Sequence, residues 1–289
     1  MLFLHNFMKC EQPHGSRSRN IGYIIIGIFS FLFIFGVARS LLRGEPTDEN
    51  KFTEVGDCNT ALVTLHGVLD TYAFFDNVEQ IDVIGSEDII KDIETAAADR
   101  NIKAIVLDID SPGGAIVAGE EVANALKFSA KPTVAVIRGQ GLSAAYYAAS
   151  GADVIFSSMH SYVGNVGVTM SYVDNVEKNE KEGLSYNSLS IGRFKDVGDP
   201  NRTLAPVERE MLLSQGSILY KNLLKEIAEN RKLDYDVFSN LADGRIFIGT
   251  EAEVNGLVDK IGDLRNVKQY LVKKIGDVSV VCRPEDDIE

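Results

Sequence analysis

The chain has 289 residues, 45% of them apolar and 25% charged, with a formal net charge of -13. That length holds a membrane segment plus one large domain or two small ones, and the composition is that of a globular chain. The acidic balance, with no broad basic stripe, argues against a nucleic-acid partner.

Residues 1–19 form a polar tail carrying Lys9, Arg17 and Arg19. An uncharged run extends from Asn20 to Ala38. As a helix it reaches about 28 Å, close to the hydrocarbon thickness of a bilayer. The run predicts a transmembrane anchor over residues 20–42, retained rather than cleaved. Apolar cores of signal peptides run about 7–15 residues, and Val37-Ala38 before Arg39 is a poor cleavage site. Basic residues flank the run on both sides, so charge does not orient it. Residues 43–57 are rich in charged and turn-forming types and read as a linker; one domain occupies 58–289.

Within the domain, Ala61 to Leu69 alternates as a strand, with His66 inside it as a strand residue. Ser86 to Arg100 predicts a helix capped by Ser86, with Ile89, Ile90, Ile93 and Ala96 on one face. Ala104 to Asp110 is the near-continuous apolar run of a buried parallel strand. It ends in a turn, Ser111-Pro112-Gly113-Gly114, that leads to a helix over Ala115 to Phe128. Val134 to Ile137 gives another buried strand, then Gly139-Gln140-Gly141-Leu142-Ser143 and a small-residue helix, Ala144 to Ser150. Val154 to Phe156 is strand again. Such alternation implies βαβ units and a helix-covered parallel sheet, an α/β fold.

Past Gly164 to Val168 the pattern predicts a helix over Ser171 to Gly183 and a strand over Tyr186 to Ile191. Gly192 to Pro200 is an irregular loop. Pro206 suits a first helical turn, and that helix runs to Arg231, with a short one after it over Tyr235 to Leu241. A small strand and turn, Gly244 to Thr250, comes next. Thr250 then caps a helix ending near Gly256, and Leu264 to Lys274 closes the domain.

Ser143 stands at a strand-to-helix junction, where first-turn N–H groups are unpaired and the dipole is positive. Two roles suit it: a helix cap, or an attacking oxygen beside oxyanion donors. A serine nucleophile needs a base. Among His5, His14, His66 and His160, only His160 lies downstream of the serine, and no carboxylate is visible to orient it. A lysine is the other option; lowering its pKa from about 10.4 to near 7 costs roughly 4.6 kcal/mol. Lys195, beside Phe194 in the irregular loop, is a candidate, set against the ordinary reading of a solvated surface lysine. Gly113 and Gly114 offer backbone N–H groups with no side chain in the way, and Ala144 offers another. The three cysteines, Cys10, Cys58 and Cys282, have no metal-ligand spacing. Cys58 and Cys282 pair only if the two ends of the domain meet in an oxidising compartment; the sequence leaves this open and leans against it.

Five segments in order resemble the bacterial signal peptide peptidase A family, the membrane-anchored Ser–Lys proteases of SppA and SohB type within the ClpP/crotonase fold. They are Asp110 to Gly114, Ser143 with Tyr146-Tyr147 and Ala152-Asp153, Gly164 to Val168, Gly192 to Asp196, and Gly244 to Asp259. The resemblance implies a ClpP/crotonase-like spiral of βαβ units behind one transmembrane helix, and a serine endopeptidase acting on short apolar peptides such as released signal peptides. It assigns Ser143 as nucleophile and Lys195 as general base. Gly113, Gly114 and Ala144 become the oxyanion and substrate-binding backbone, and Asn165 the residue that orients the lysine. No metal or cofactor is implied. It further implies a ring-shaped homo-oligomer in which neighbouring subunits can share the dyad, held in the cell membrane with the domain on the extracytoplasmic side. This chain departs from the family twice. Ser143-Ala144-Ala145 replaces Ser-Gly-Gly, which adds a methyl near the substrate path, and Asn165 replaces a serine. These departures keep open an inactive membrane scaffold of the same fold; an acyl-CoA enzyme of crotonase type is a further rival.

Overall fold

The computed structural model describes residues 58–79 and 81–283. The expected tail, anchor and linker lie outside the described residues. No helix among the described residues is long and apolar enough to cross a membrane.

The domain opens with β1 (Thr60–Asp70), a short hairpin of β2 (Phe74–Asp76) and β3 (Ile81–Gly85), and α1 (Ser86–Ala98). The centre comprises β4 (Ala104–Gly114), α2 (Ile116–Lys127), β5 (Thr133–Leu142), α3 (Ala144–Ser150), β6 (Val154–Ser157) and β7 (Tyr162–Gly164). The remainder comprises α4 (Val176–Lys181), α5 (Pro206–Arg231), α6 (Tyr235–Leu241), β8 (Ile246–Ile248), α7 (Gly249–Val254), β9 (Lys260–Ile261), α8 (Leu264–Ile275) and β10 (Val281–Cys282).

Among the described residues, ten strands join one sheet, ordered β2-β3-β1-β4-β5-β6-β9, with β7 and β10 pairing β5 and β1 off this path. Of these pairings, β2–β3 and β7–β8 are antiparallel and the others parallel. The apolar runs of β4 and β5 are continuous because both their faces are buried. Leu65, Ile105, Leu107, Ile109, Ala135 and Ile137 lie in the core shared with α1, α2 and α3. Leu62, Val106, Val134, Val136 and Phe156 pack on the other face against Val267 and Leu271 of α8. The α/β, parallel-dominated reading holds.

Several local expectations fail for identifiable reasons. Ser86 does not cap α1. It is the first helical residue, buried, and its hydroxyl donates to Glu121 at 2.5 Å. Ser111 to Gly114 is not a turn but the end of β4, kept extended by β1 and β5 on either side. The helix predicted over Ser171 to Gly183 shrinks to α4, which buries no residue and so gains little from packing. The strand predicted over Tyr186 to Ile191 does not form. Leu189 and Ile191 are 97% and 98% exposed, so the alternation there faces no core. Thr250 lies inside α7, whose N-cap is Ile248.

The two ends of the domain meet, against the sequence's leaning. β10 runs parallel to β1 with Ala61 opposite Cys282. Asn59 donates to the Val278 carbonyl at 2.8 Å and accepts from the Val280 N–H at 3.0 Å. Cys58 and Cys282 are joined as a disulfide, with Cα atoms 5.8 Å apart across a sequence separation of 224. Chain-entropy arithmetic for a loop of that length gives about 5 kcal/mol of stabilisation. Reduction, or the paired change Cys58→Ser with Cys282→Ser, should lower the urea midpoint accordingly. Equal midpoints with and without reductant would refute it.

Candidate active site

In an open parallel sheet, ligands bind outside the carboxyl ends of the strands. Here three such ends converge. β4 ends at Gly114 and β5 at Leu142, and Leu142 pairs with Gly164 at the end of β7. Ser143 comes directly after. Its N–H donates to the Gly164 carbonyl at 2.8 Å, and its own carbonyl accepts from the Tyr147 N–H at 3.0 Å. Its backbone stands at φ 52, ψ -122. A side chain there costs about 1–3 kcal/mol, a strain met most often at functional sites. Ser143 occupies the N-cap position of α3, yet its hydroxyl makes no capping hydrogen bond. Of the two roles open in the sequence, the cap is the one this geometry does not use.

Gly113 and Gly114 lie against this turn. A Cβ on Gly113, where φ is +96, would come within 2.5 Å of the Leu142 carbonyl and 2.8 Å of the Ser143 Cβ. A Cβ on Gly114 would collide with the Leu69 carbonyl on β1. The Gly113 N–H is engaged by the Ser111 hydroxyl at 3.1 Å. Gly113 therefore supplies clearance, which leaves Gly114 and Ala144 as the candidate donors. The Ala144 N–H belongs to the first turn of α3, where N–H groups lack intrahelical acceptors.

Ala144 and Ala145 are buried in the main core. The methyl groups that distinguish them from glycine therefore pack inward, and the concern about the substrate path is answered. α2 makes room for α3 at Gly119, where a Cβ would lie 2.5 Å from the Ala144 carbonyl; nothing in the sequence pattern singled out that glycine. On the far side Tyr146 donates its phenol to the Leu257 carbonyl at 2.9 Å, and Tyr147 bonds the Glu226 carboxylate of α5. Burial pushes both phenols up, so they stay neutral donors.

A hollow of about 690 Å³ opens beside Ser143. Asn165, Val168 and Met170 line one wall; Leu213, Ser217 and Tyr220 of α5 line the other. Asn165 takes a left-handed φ of 50, which asparagine tolerates, and its N–H donates to the Arg245 carbonyl at 2.8 Å. Asp243 closes the rim, its carboxyl held down to about 2 chiefly by hydrogen bonds from Arg245. The α5 wall was not legible in the sequence beforehand. Its one hint was Gly216, a glycine inside a helix, against which Met170 packs.

Lys195 is not among the residues lining this hollow. It sits exposed in the irregular loop, its N–H donating to the Gly192 carbonyl at 3.2 Å. That loop is held by its neighbours. Ser188 donates to Asp196 at 2.7 Å and Tyr186 to Asp199 at 2.6 Å. Arg202 forks onto Glu208 at 2.7 and 2.8 Å and donates to the Asp196 carbonyl at 2.7 Å. His160 is exposed on a turn. His66, exposed midway along β1, approaches the buried Asp108 to 3.6 Å. The structure thus gathers Ser143, Gly113, Gly114, Ala144 and Asn165 around one strand-to-helix turn, while Lys195 does not line the hollow beside it. Among the described residues no group of acidic, histidine and cysteine side chains is placed to hold a metal.

A model of peptidase family S49 matches residues 125–276, and a Clp protease model matches 64–160. A putative protease of Methanocaldococcus jannaschii is 32% identical over 65% of this chain and 60% of its own length. A putative signal peptide peptidase SppA of Enterococcus faecium is 25% identical over 90% of this chain and 83% of its own. Protease 4 of Salmonella typhi is 28% identical over 66% of this chain, a stretch that spans only 31% of that longer protein.

The geometry generates two expected outcomes. Gly113→Ala should cost about 2–4 kcal/mol through strain and overlap. Gly276→Ala, also at positive φ but with nothing within 4 Å, should cost only about 1 kcal/mol. Urea unfolding of both variants tests the contrast, and equal costs would refute it. The Lys195 loop should also loosen in acid. The Ser188 hydroxyl holds Asp196 below its ordinary value, the Tyr186 phenol does the same for Asp199, and Arg202 for Glu208. Groups lowered by folding contribute stability above the unfolded carboxylate range, about pH 4, and lose it as pH falls through the folded values. Hydrogen exchange of residues 184–204 should therefore rise, after correction for intrinsic rates, between pH 6 and pH 3. A flat profile would rule this out.

Proposed function

We propose that this chain, which belongs to peptidase family S49, is a serine endopeptidase whose nucleophile is Ser143 and whose general base is Lys195. The observation that carries this reading is the uncapped hydroxyl of Ser143, held at positive φ against the Gly113 backbone beside a hollow. In the proposed reaction Ser143 Oγ attacks the scissile carbonyl as its proton passes to Lys195 Nζ. The N–H groups of Gly114 and Ala144 hold the oxyanion. Lys195 then returns the proton to the leaving amine, and water releases the acyl group by the same route.

Lys195 is exposed and does not line the hollow, which supports supplying it from a neighbouring copy in a ring. Asn165 beside Ser143 would orient the arriving amine, since its amide can accept or donate. The apolar stretch of the hollow, Val168, Met170 and Leu213, suits apolar side chains such as those of released signal peptides. The Cys58–Cys282 bond supports an oxidising, extracytoplasmic site for the domain, tethered by the anchor expected over residues 20–42.

Ser143→Ala and Lys195→Ala should each abolish hydrolysis of an apolar peptide while leaving folding and assembly intact. Refolded together in equal amounts, they should regain up to about a quarter of the wild-type sites, the fraction in which an intact serine meets an intact lysine across an interface. Turnover retained by either single variant sinks the dyad. A mixture that stays dead, with both singles dead, places both groups on one chain. A folded wild-type chain that a fluorophosphonate does not label favours the inactive scaffold.

A further inference from the structure

β5 does not reach Ser143 in register. From Ile109 opposite Ile137, β4 advances two residues to Ser111 while β5 advances four to Gly141. The two extra residues form a bulge over Arg138, Gly139 and Gln140, and across it β5 changes partner from β6 to β7. Bulges bend a strand and re-aim the residues beyond them; here the re-aimed residue is Ser143. Something must hold such a kink in one shape. On one side Ser161, buried, donates its hydroxyl to the Arg138 carbonyl at 2.5 Å and lies 3.1 Å from the Ile137 carbonyl. On the other, Asp110 of β4 accepts from the Gln140 N–H at 3.2 Å. Its carboxylate also presses on Gly139, where a Cβ would lie 2.6 and 2.8 Å from the two oxygens.

We infer that Asp110 is a positioning residue for Ser143: by accepting from Gln140 and packing on Gly139 it locks the bulge that sets the serine's place against Gly113. The inference rests on the serine-endopeptidase reading for its kinetic consequence, but not for its structural one. Displacing a catalytic group by about 1 Å can cost a hundredfold in rate. Asp110 does not line the hollow, and its bond is to the bulge backbone, so its loss acts through the chain.

The test compares Asp110→Ala, Asp110→Asn and Gly139→Ala in the full-length protein. Asp110→Ala should lower kcat about 10- to 100-fold with KM changed less than about twofold. Asp110→Asn keeps an acceptor oxygen for Gln140 and should recover kcat to within about threefold, with the pH profile of kcat/KM unshifted. Gly139→Ala pushes the carboxylate away and should reproduce the Asp110→Ala loss, yet add little in the double variant, where the carboxylate is gone. Hydrogen exchange over residues 138–143 should quicken in Asp110→Ala and Gly139→Ala while global unfolding stays near wild type. Gly139→Ala carries the test should Asp110→Ala fail to fold. Wild-type kcat with unchanged exchange in Asp110→Ala overturns the inference. So does an Asp110→Asn variant as impaired as Asp110→Ala with a displaced pH limb, which would make the charge rather than the acceptor the active feature. A wild-type chain that cleaves no peptide ends the endopeptidase reading alone, because the exchange measurements still decide the bulge.

Discussion

Two backbones come closer in this fold than any pair of side-chained residues allows, and most of the site depends on that contact. The end of β4 and the turn leaving β5 meet at Gly113, where a Cβ would stand only 2.5 Å from the Leu142 carbonyl. The contact explains why β4 needs glycine at 113; Gly114 answers instead to the Leu69 carbonyl of β1. A second close approach, of α3 to Gly119, lets the first alanine of α3 sink against α2. The conformational strain at Ser143 is offset by the elements packed around it on the side away from the hollow. These are the ladder to β7, the buried α3, and two tyrosines that pin that helix to α5 and to the Leu257 carbonyl.

The sequence exposed most of this scaffold because its strands are buried on both faces. Ala104 to Asp110 and Val134 to Ile137 could hardly read as anything else. The long helix was legible to its ends: Pro206 opens it at N1, and it closes at Arg231 before Lys232 turns left-handed. What stayed hidden were elements defined by partners rather than by pattern. β9 and β10 have two residues each and exist only as rungs beside β6 and β1. Tyr186 to Ile191 erred in the other direction: it alternates well, but no strand lies beside it.

The site was legible to the same degree and for the same reason. Ser143, Gly113 and Ala144 are adjacent to strand ends, so reading the strands located them. The α5 wall of the hollow comes from some seventy positions downstream of the serine, beyond the reach of periodicity. Lys195 could be raised from its loop beside Phe194 but was singled out only through resemblance, and its loop is organised by carboxylates that answer to Arg202, Ser188 and Tyr186 rather than to the serine. The Cys58–Cys282 pair leaned the wrong way because sequence distance says nothing about where a sheet returns its last strand.

That bond has a topological consequence. It converts nearly the whole domain into a covalent ring, closed where β1 begins and β10 ends. The exposed stretch around Leu189 and Ile191, an obvious place for a cut, lies inside the ring. A single nick there yields two chain ends but still one molecule. A domain of this build stays one covalent molecule after the first scission.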